Sequence, residues 1–206
     1  LNQCFFVSLF RACQTASNQI TEVVKMVNST VYIVGDECGS FCANRNYEGV
    51  GSVDCHLFEM LPIVNLRKEV NLAIKTAFWN RIKEAEKYEV LVLVFGNIDF
   101  RTTVSNILAR EFDVTFDSIF ERIINIYVEV IENVHKMVPK VSIVVHEVFD
   151  FFNGIQLMIR KFNAMMRSKL PSYVTVMRMP DIPIGSLDPK NCPPKEYYKN
   201  FRDAII

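Results

Sequence analysis

Several things this chain lacks narrow its reading before any motif does. It has no surplus of either charge: Lys plus Arg and Asp plus Glu each number 23. No net field therefore draws it to a nucleic acid or an anionic surface, which argues against a dedicated nucleic-acid binder. It has no CxxC pair among its six cysteines (Cys4, Cys13, Cys38, Cys42, Cys55 and Cys192), and neither His135 nor His146 has a matching cysteine spacing. That argues against a zinc site, and no metal or cofactor is expected. At 206 residues the chain is long enough to build a core without disulfide staples, so reduced thiols are the expectation, with the Cys38–Cys42 spacing left open. The apolar stretches within Leu1 to Ala12 are too short to cross a bilayer and lack a basic start and a small-residue cleavage site. Residues 1–16 are read instead as an amphipathic arm packed on this domain or on a neighbour, ahead of a single domain over residues 17–206. No membrane span is expected anywhere. The chain opens on Leu, the pattern of a processed product or of a piece of a longer polypeptide. Nothing in it indicates a compartment; Asn28-Ser29-Thr30 fits a glycosylation acceptor, which matters only in a secreted chain.

What the chain does have is core. Half its residues are hydrophobic and 12% are aromatic, which excludes a disordered chain. The organising stretch is Thr30-Val31-Tyr32-Ile33-Val34-Gly35-Asp36-Glu37-Cys38-Gly39-Ser40, a buried strand breaking into a glycine-punctuated turn. A helix is predicted before it, over Ser17 to Val27. After it come a strand over Val50 to Leu57, a long helix over Asn65 to Lys87, and a strand over Glu89 to Phe95 that stops at Gly96. Next are a helix over Phe116 to Met137 with Asp117 as its cap, a buried strand over Val141 to Val145, and a helix over Gly154 to Leu170. A strand over Tyr173 to Met177 and a closing helix over Pro194 to Ile206 complete the set. Strands alternating with helices imply a mainly parallel sheet covered on both faces, an α/β/α sandwich. Catalytic groups and ligands gather at the carboxyl ends of such strands, so the search for function starts at Asp36 and Glu37. Phe149, Phe151, Phe152, Met158, Met165 and Met166 are expected mostly in the core.

Small motifs recur at those strand ends. Gly35-Asp36-Glu37 follows the first strand, and Val50-Gly51-Ser52-Val53-Asp54-Cys55-His56 comes next. Phe95-Gly96-Asn97-Ile98-Asp99-Phe100-Arg101 follows the clearest strand, and Asp188-Pro189-Lys190-Asn191-Cys192-Pro193-Pro194 precedes the last helix. From about Thr30 to its end the chain resembles the SGNH (GDSL-like) hydrolases. The resemblance implies a flavodoxin-like three-layer α/β/α fold. It also implies a nucleophile turn at Gly35-Asp36-Glu37, an oxyanion N–H from Gly51, and a Gly-x-Asn-Asp-like block at Gly96 to Asp99. The closing Asp-x-x-His block falls at Asp188 to Asn191.

What the resemblance implies at these positions is a loss. Ester hydrolysis in the family needs a serine hydroxyl and a histidine oriented by an aspartate. The serine place holds Glu37, the histidine place holds Asn191, and no histidine occurs after His146. Asp188 has no imidazole to orient, and the oxyanion asparagine is Ile98, with Asn97 adjacent. A carboxylate is a poor acyl acceptor and an amide is no base near neutral pH. The former active-site positions are thus Glu37, Gly51, Asn97, Asp188 and Asn191, and no catalytic residue is expected. Asp36, Asp99 and Arg101 are the candidate ligand-binding groups. Their plainer reading makes Asp36 a loop-fixing acceptor and Asp99 with Arg101 an ion pair holding the loop. Glu37 likewise reads as a turn cap or a partner of Arg101 or Lys190. His146 is read as a solvated turn residue beside Glu147.

Three readings of function follow. The first is a catalytically inactive domain serving as a structural or protein-interaction module that binds a protein partner or self-assembles, a virus capsid or surface assembly being one setting. The second is non-catalytic binding of a glycan or acyl group in the former cleft. The third is an esterase with a displaced nucleophile, for which Ser40 with His56, His135 or His146 are the candidates.

Overall fold

In β1 (Ser29–Asp36) Val31 and Ile33 point to one face, and Tyr32 and Val34 to the other; all four are buried. A strand apolar on both faces needs cover on both. The computed structural model describes residues 29–36, 39, 47, 50–149, 155–179 and 195–206. The arm over residues 1–16 and the helix expected over Ser17 to Val27 lie outside them.

The other strands are β2 (Val50–Phe58), β3 (Val90–Val94), β4 (Ser142–His146) and β5 (Thr175–Met177). All pairings are parallel and the order is β2-β1-β3-β4-β5. The helices are α1 (Ala73–Glu84), α2 (Val104–Arg110), α3 (Phe116–Met137), α4 (Gln156–Lys169) and α5 (Lys195–Ile205). Tyr32, Val34, Leu91, Leu93, Ile143 and Val145 face one core with Phe78, Phe120, Tyr127 and Phe162 from α1, α3 and α4. Val31, Ile33, Val92, Val94 and Val144 face a second core closed by Tyr197, Phe201 and Ile205 of α5. Helices thus cover both faces of one sheet, which is the expected three-layer α/β/α arrangement. Phe149 and Met166 are buried and Met158 and Met165 pack at the core's edge; Phe151 and Phe152 lie outside the described residues.

Three elements differ from expectation. The long helix over Asn65 to Lys87 is instead a 3-10 turn (Ile63–Leu66), an irregular link, α1 and a second 3-10 turn (Ala85–Lys87). The link is held because Lys75 Nζ donates to the carbonyls of Arg67 (2.6 Å), Lys68 (3.2 Å) and Val70 (3.0 Å), groups a continuous helix would have paired internally. Helix α3 spans the expected residues, but its cap is Thr115. Thr115 Oγ1 accepts from Ser118 N and Ser118 Oγ accepts from Thr115 N, both at 3.2 Å, a capping box. Asp117 instead pairs with Lys161 of α4 at 2.5 Å. Finally, a π-helical turn (Asp99–Thr103) runs into α2 where no helix was expected.

Candidate functional site

The carboxyl ends of β1 and β3 meet closely because Gly35 has no side chain: a Cβ there would lie 2.3 Å from the carbonyl oxygen of Val94. Just beyond β3 the chain turns at Gly96, whose φ of +107° suits glycine. These two glycines bring Asp36 and Asn97 together, both fully buried. Asn97 donates to the Asp36 carboxylate from its backbone N (3.2 Å) and from Nδ2 (3.3 and 3.2 Å). Its Oδ1 accepts the N–H of Phe149 at 3.1 Å, so one amide ties the ends of β1, β3 and β4. Asp36, expected to fix its loop by accepting N–H groups, does accept one from the Asn97 backbone, and it takes the amide side chain as well.

Asp99 opens the π-helical turn and is fully buried. Its Oδ2 accepts the N–H of Ile63 at 2.8 Å, while Oδ1 has no hydrogen-bond partner among the described residues. Burial pushes its carboxyl up to about 7, against the N–H groups of Ile63 and Val64 and the Thr103 hydroxyl, with Asp36 adding to the rise. The expected Asp99–Arg101 ion pair is not what holds this loop. Asp99 points into the core toward the Ile63 turn, whereas Arg101 is exposed and is not among the groups that shift Asp99. The same two carboxyls, after burial itself, raise the phenol of Tyr127, which donates to the Leu93 carbonyl at 3.4 Å.

Gly51 is corrected by the register of the sheet. β2 runs parallel to β1, and Asp36 pairs with Phe58 while Gly51 sits beside the bulge at the other end of the strand. Seven residues at roughly 3.3 Å each put it about 23 Å from the level of Asp36, too far to supply an N–H to a site there. The turn that does follow β2 carries Met60 in the left-handed region at φ 54°. Ile98, at the place of the oxyanion asparagine, is fully buried. Glu37, Asp188 and Asn191 lie outside the described residues, as does Ser40.

His146 is corrected too. It is the last residue of β4, not a solvated turn, and is fully buried. Its Nδ1 faces the Glu147 carbonyl, which can only accept, so Nδ1 carries the proton and Nε2 accepts the Tyr197 hydroxyl at 2.9 Å. Burial lowers the imidazole to about 4. The neighbouring Glu147 carboxylate takes the guanidinium of Arg167 and the N–H of Met179 (2.8 Å). Asn163 of α4 brackets Val148, accepting its N–H at 3.0 Å and donating to its carbonyl at 2.9 Å. The sequence reading missed this second cluster. Its one signal was the pair His146-Glu147 set inside an unbroken apolar run.

Chemically, Asp36, Asn97 and His146 are donors and acceptors spent on partners within the scaffold, and only Asp99 Oδ1 is left without one among the described residues. An imidazole near pKa 4 with both nitrogens engaged is a poor general base at neutral pH. Among the described residues no three His, Cys, Asp or Glu side chains come close enough to hold a metal ion, and no helix is long and apolar enough to cross a membrane.

No protein-family model matches the chain, and no curated protein is similar to it in sequence. Solved structures are similar in shape. A lipase from a goat rumen metagenome superposes with a TM-score of 0.58 at 12% identity, over 86% of this chain and 97% of its own. A Parabacteroides merdae protein named for its likeness to GDSL lipases gives 0.52 at 10% identity, over 86% and 94%. The fold is that of the SGNH hydrolases. An α/β hydrolase from the metagenome of Lake Arreo, Spain, gives 0.51 at 11% identity, over 87% and 95%. At these identities the likeness is one of SGNH fold, and chemistry has to be argued from the residues of this chain.

Proposed function

We propose that this chain is an SGNH-fold domain without hydrolytic activity, retained as a structural module that binds a protein partner or assembles with itself. The observation that carries the reading is that the polar groups at the strand ends serve the scaffold. Asp36 and Asn97 are buried against each other, and His146 is locked between Glu147 and Tyr197. The family resemblance supplies the complementary half, with Glu37 and Asn191 standing where a hydroxyl and an imidazole are needed. With Glu37 at the nucleophile place, Asn191 at the base place and Ile98 at the oxyanion asparagine, acyl transfer lacks its nucleophile, its base and one oxyanion donor.

The test is hydrolysis of p-nitrophenyl acetate by the purified full chain beside Glu37→Ser and the double variant Glu37→Ser/Asn191→His. The expected result is a native chain no faster than buffer and a double variant with measurable turnover. Native turnover that disappears in Ser40→Ala would overturn the reading, because the nucleophile would then have moved rather than vanished.

A further inference from the structure

The two edges of the sheet are finished differently. At one edge β5 is three residues long, too short to offer another strand much of a ladder. At the other, β2 is nine residues long, and among the described residues its neighbour in the sheet is β1 alone. The features that usually guard a long edge are missing from it. Val50-Gly51-Ser52-Val53-Asp54-Cys55-His56-Leu57-Phe58 contains no proline, lysine or arginine, and the irregularity in its pairing falls at its start, between Ser29 and Thr30 of β1. Ser52, Asp54 and Cys55 are exposed, and Cys55 is a free thiol. Alternate residues of an edge strand aim their backbone N–H and C=O groups outward, which makes β2 a template for one more strand.

Its side chains select that strand. Asp54 and His56 lie opposite Tyr32 and Val34 of β1 and so share one face, while Val53, Cys55 and Leu57 share the other. The Tyr88 hydroxyl donates to Asp54 Oδ2 at 2.6 Å, and Oδ1 can accept a second bond. The His56 ring is set edge-on to Phe58, with 4.7 Å between ring centres. Suppose a second β2 is laid antiparallel beside the first about a two-fold axis. Opposed side chains must then share a face, so one residue of β2 lies opposite its own copy. Asp54 in that place would set carboxylate against carboxylate. Val53 would set Asp54 against Ser52, and His56 would set Asp54 against Phe58. Cys55 alone sets Asp54 opposite His56, an acceptor opposite a donor, and the symmetry makes that pair twice. The same register sets Val53 opposite Leu57 on the other face.

We infer that this chain forms a two-fold dimer through β2, paired antiparallel with β2 of a second copy and centred on Cys55, so that the two sheets become one. The inference rests on the reading of the chain as a self-assembling module and deepens it by naming the surface and the register. Residues directly opposite in an antiparallel pair have Cα atoms about 4.5–5.5 Å apart, so the two Cys55 thiols lie within bridging distance of one another.

The experiment is sedimentation of the full chain, reduced, over a wide range of concentration. Beside it run Cys55→Lys, His56→Asp and the exchange variant Asp54→His/His56→Asp, each checked for native circular dichroism. Expected is a monomer–dimer equilibrium for the native chain. It should weaken about tenfold or more in Cys55→Lys, which opposes two ammonium groups, and in His56→Asp, which opposes carboxylates, and recover in the exchange variant, which restores both pairs. Dibromobimane, which bridges only thiols a few ångströms apart, should link native chains into a dimer on a denaturing gel and fail to link Cys55→Ser. A native chain that is monomeric throughout, or that the reagent does not link, would overturn the inference. So would a dimer that Cys55→Lys leaves intact, or an exchange variant no tighter than His56→Asp. The hydrolysis assay separates the two readings: an inert monomer defeats the dimer and leaves the inactivity standing, whereas a dimer that turns over the ester defeats the inactivity alone.

Discussion

The β1 and β3 ends and the β4 end of this sheet bury polar groups at the same depth but handle them oppositely. Under β1 and β3 a carboxyl, Asp99, is buried with one oxygen bonded and the other not, and burial pushes it up to about 7. Under β4 an imidazole, His146, is buried with both nitrogens bonded and is pushed down to about 4. In each case burial disfavours the charged form. The consequences for stability run in opposite directions. Between about pH 4 and 6.5 the unfolded chain holds a proton on its histidine that the folded one does not, so the His146 contribution is full above 6.5 and is lost as pH falls. Over nearly the same window the folded chain holds a proton on Asp99 that the unfolded one has released, so that contribution is full at low pH and is lost as pH rises toward 7. The two slopes cancel. Burying one acid and one base leaves these two groups together nearly indifferent to pH, although each alone is sensitive.

The largest expected effect comes from removing the amide that joins the strand ends. Asn97→Ala deletes side-chain donors to the buried Asp36 carboxylate and the acceptor of the Phe149 N–H. Loss of one partner of a buried charge is expected to cost about 4 kcal/mol, read from the urea midpoint at pH 7. A cost below about 1 kcal/mol would mean that Asp36 is held by other groups and that Asn97 is not the joint.

The cancellation can be broken from either side. Asp99→Asn keeps an acceptor for the Ile63 N–H and removes the ionisation, leaving the His146 slope exposed. Stability should then rise by about 1.4 kcal/mol per pH unit from pH 4 to 6.5, about 3 kcal/mol in all. His146→Phe should do the reverse, leaving the Asp99 slope, so that stability falls by a similar amount per unit as pH rises. Urea melts at half-unit pH intervals measure both slopes, which do not depend on the fixed packing cost of either substitution. A wild type with the same slope as one of the variants would show that the other group does not titrate as the burial argument requires.

Much of this fold was legible because its strands are apolar on both faces and its main helices carry long apolar stripes; α3 was read to its last residue. The polar joints were less so. Asp36 was found because a glycine-aspartate pair ends a buried strand, which is a local signal. Gly51 was misplaced because a short motif carries no register, and only the pairing of Asp36 with Phe58 reveals which end of β2 faces the site. The turn at Asp99 and the helix after it were missed because residues 99–110 carry Arg101, Thr102, Thr103, Ser105 and Asn106 among few inward residues, chiefly Phe100 and Val104. His146 was taken for a turn residue because its partner, Tyr197, lies 51 residues on. No periodicity connects them.

The smallest effect sharpens the comparison most. Tyr197→Phe removes the hydroxyl that His146 Nε2 accepts while keeping the ring that packs against both His146 and Phe149. One buried hydrogen bond is lost, about 1 kcal/mol at pH 7. In combination with Asp99→Asn the acid slope should survive, since burial comes first among the causes that lower His146 and the Tyr197 hydroxyl is not among them. Burial would then be sufficient to keep the base neutral, as it is to hold Asp99 protonated with one oxygen unpaired. If the slope vanishes instead, the phenol is what holds the imidazole neutral, and the two ends of the sheet differ in mechanism as well as in sign.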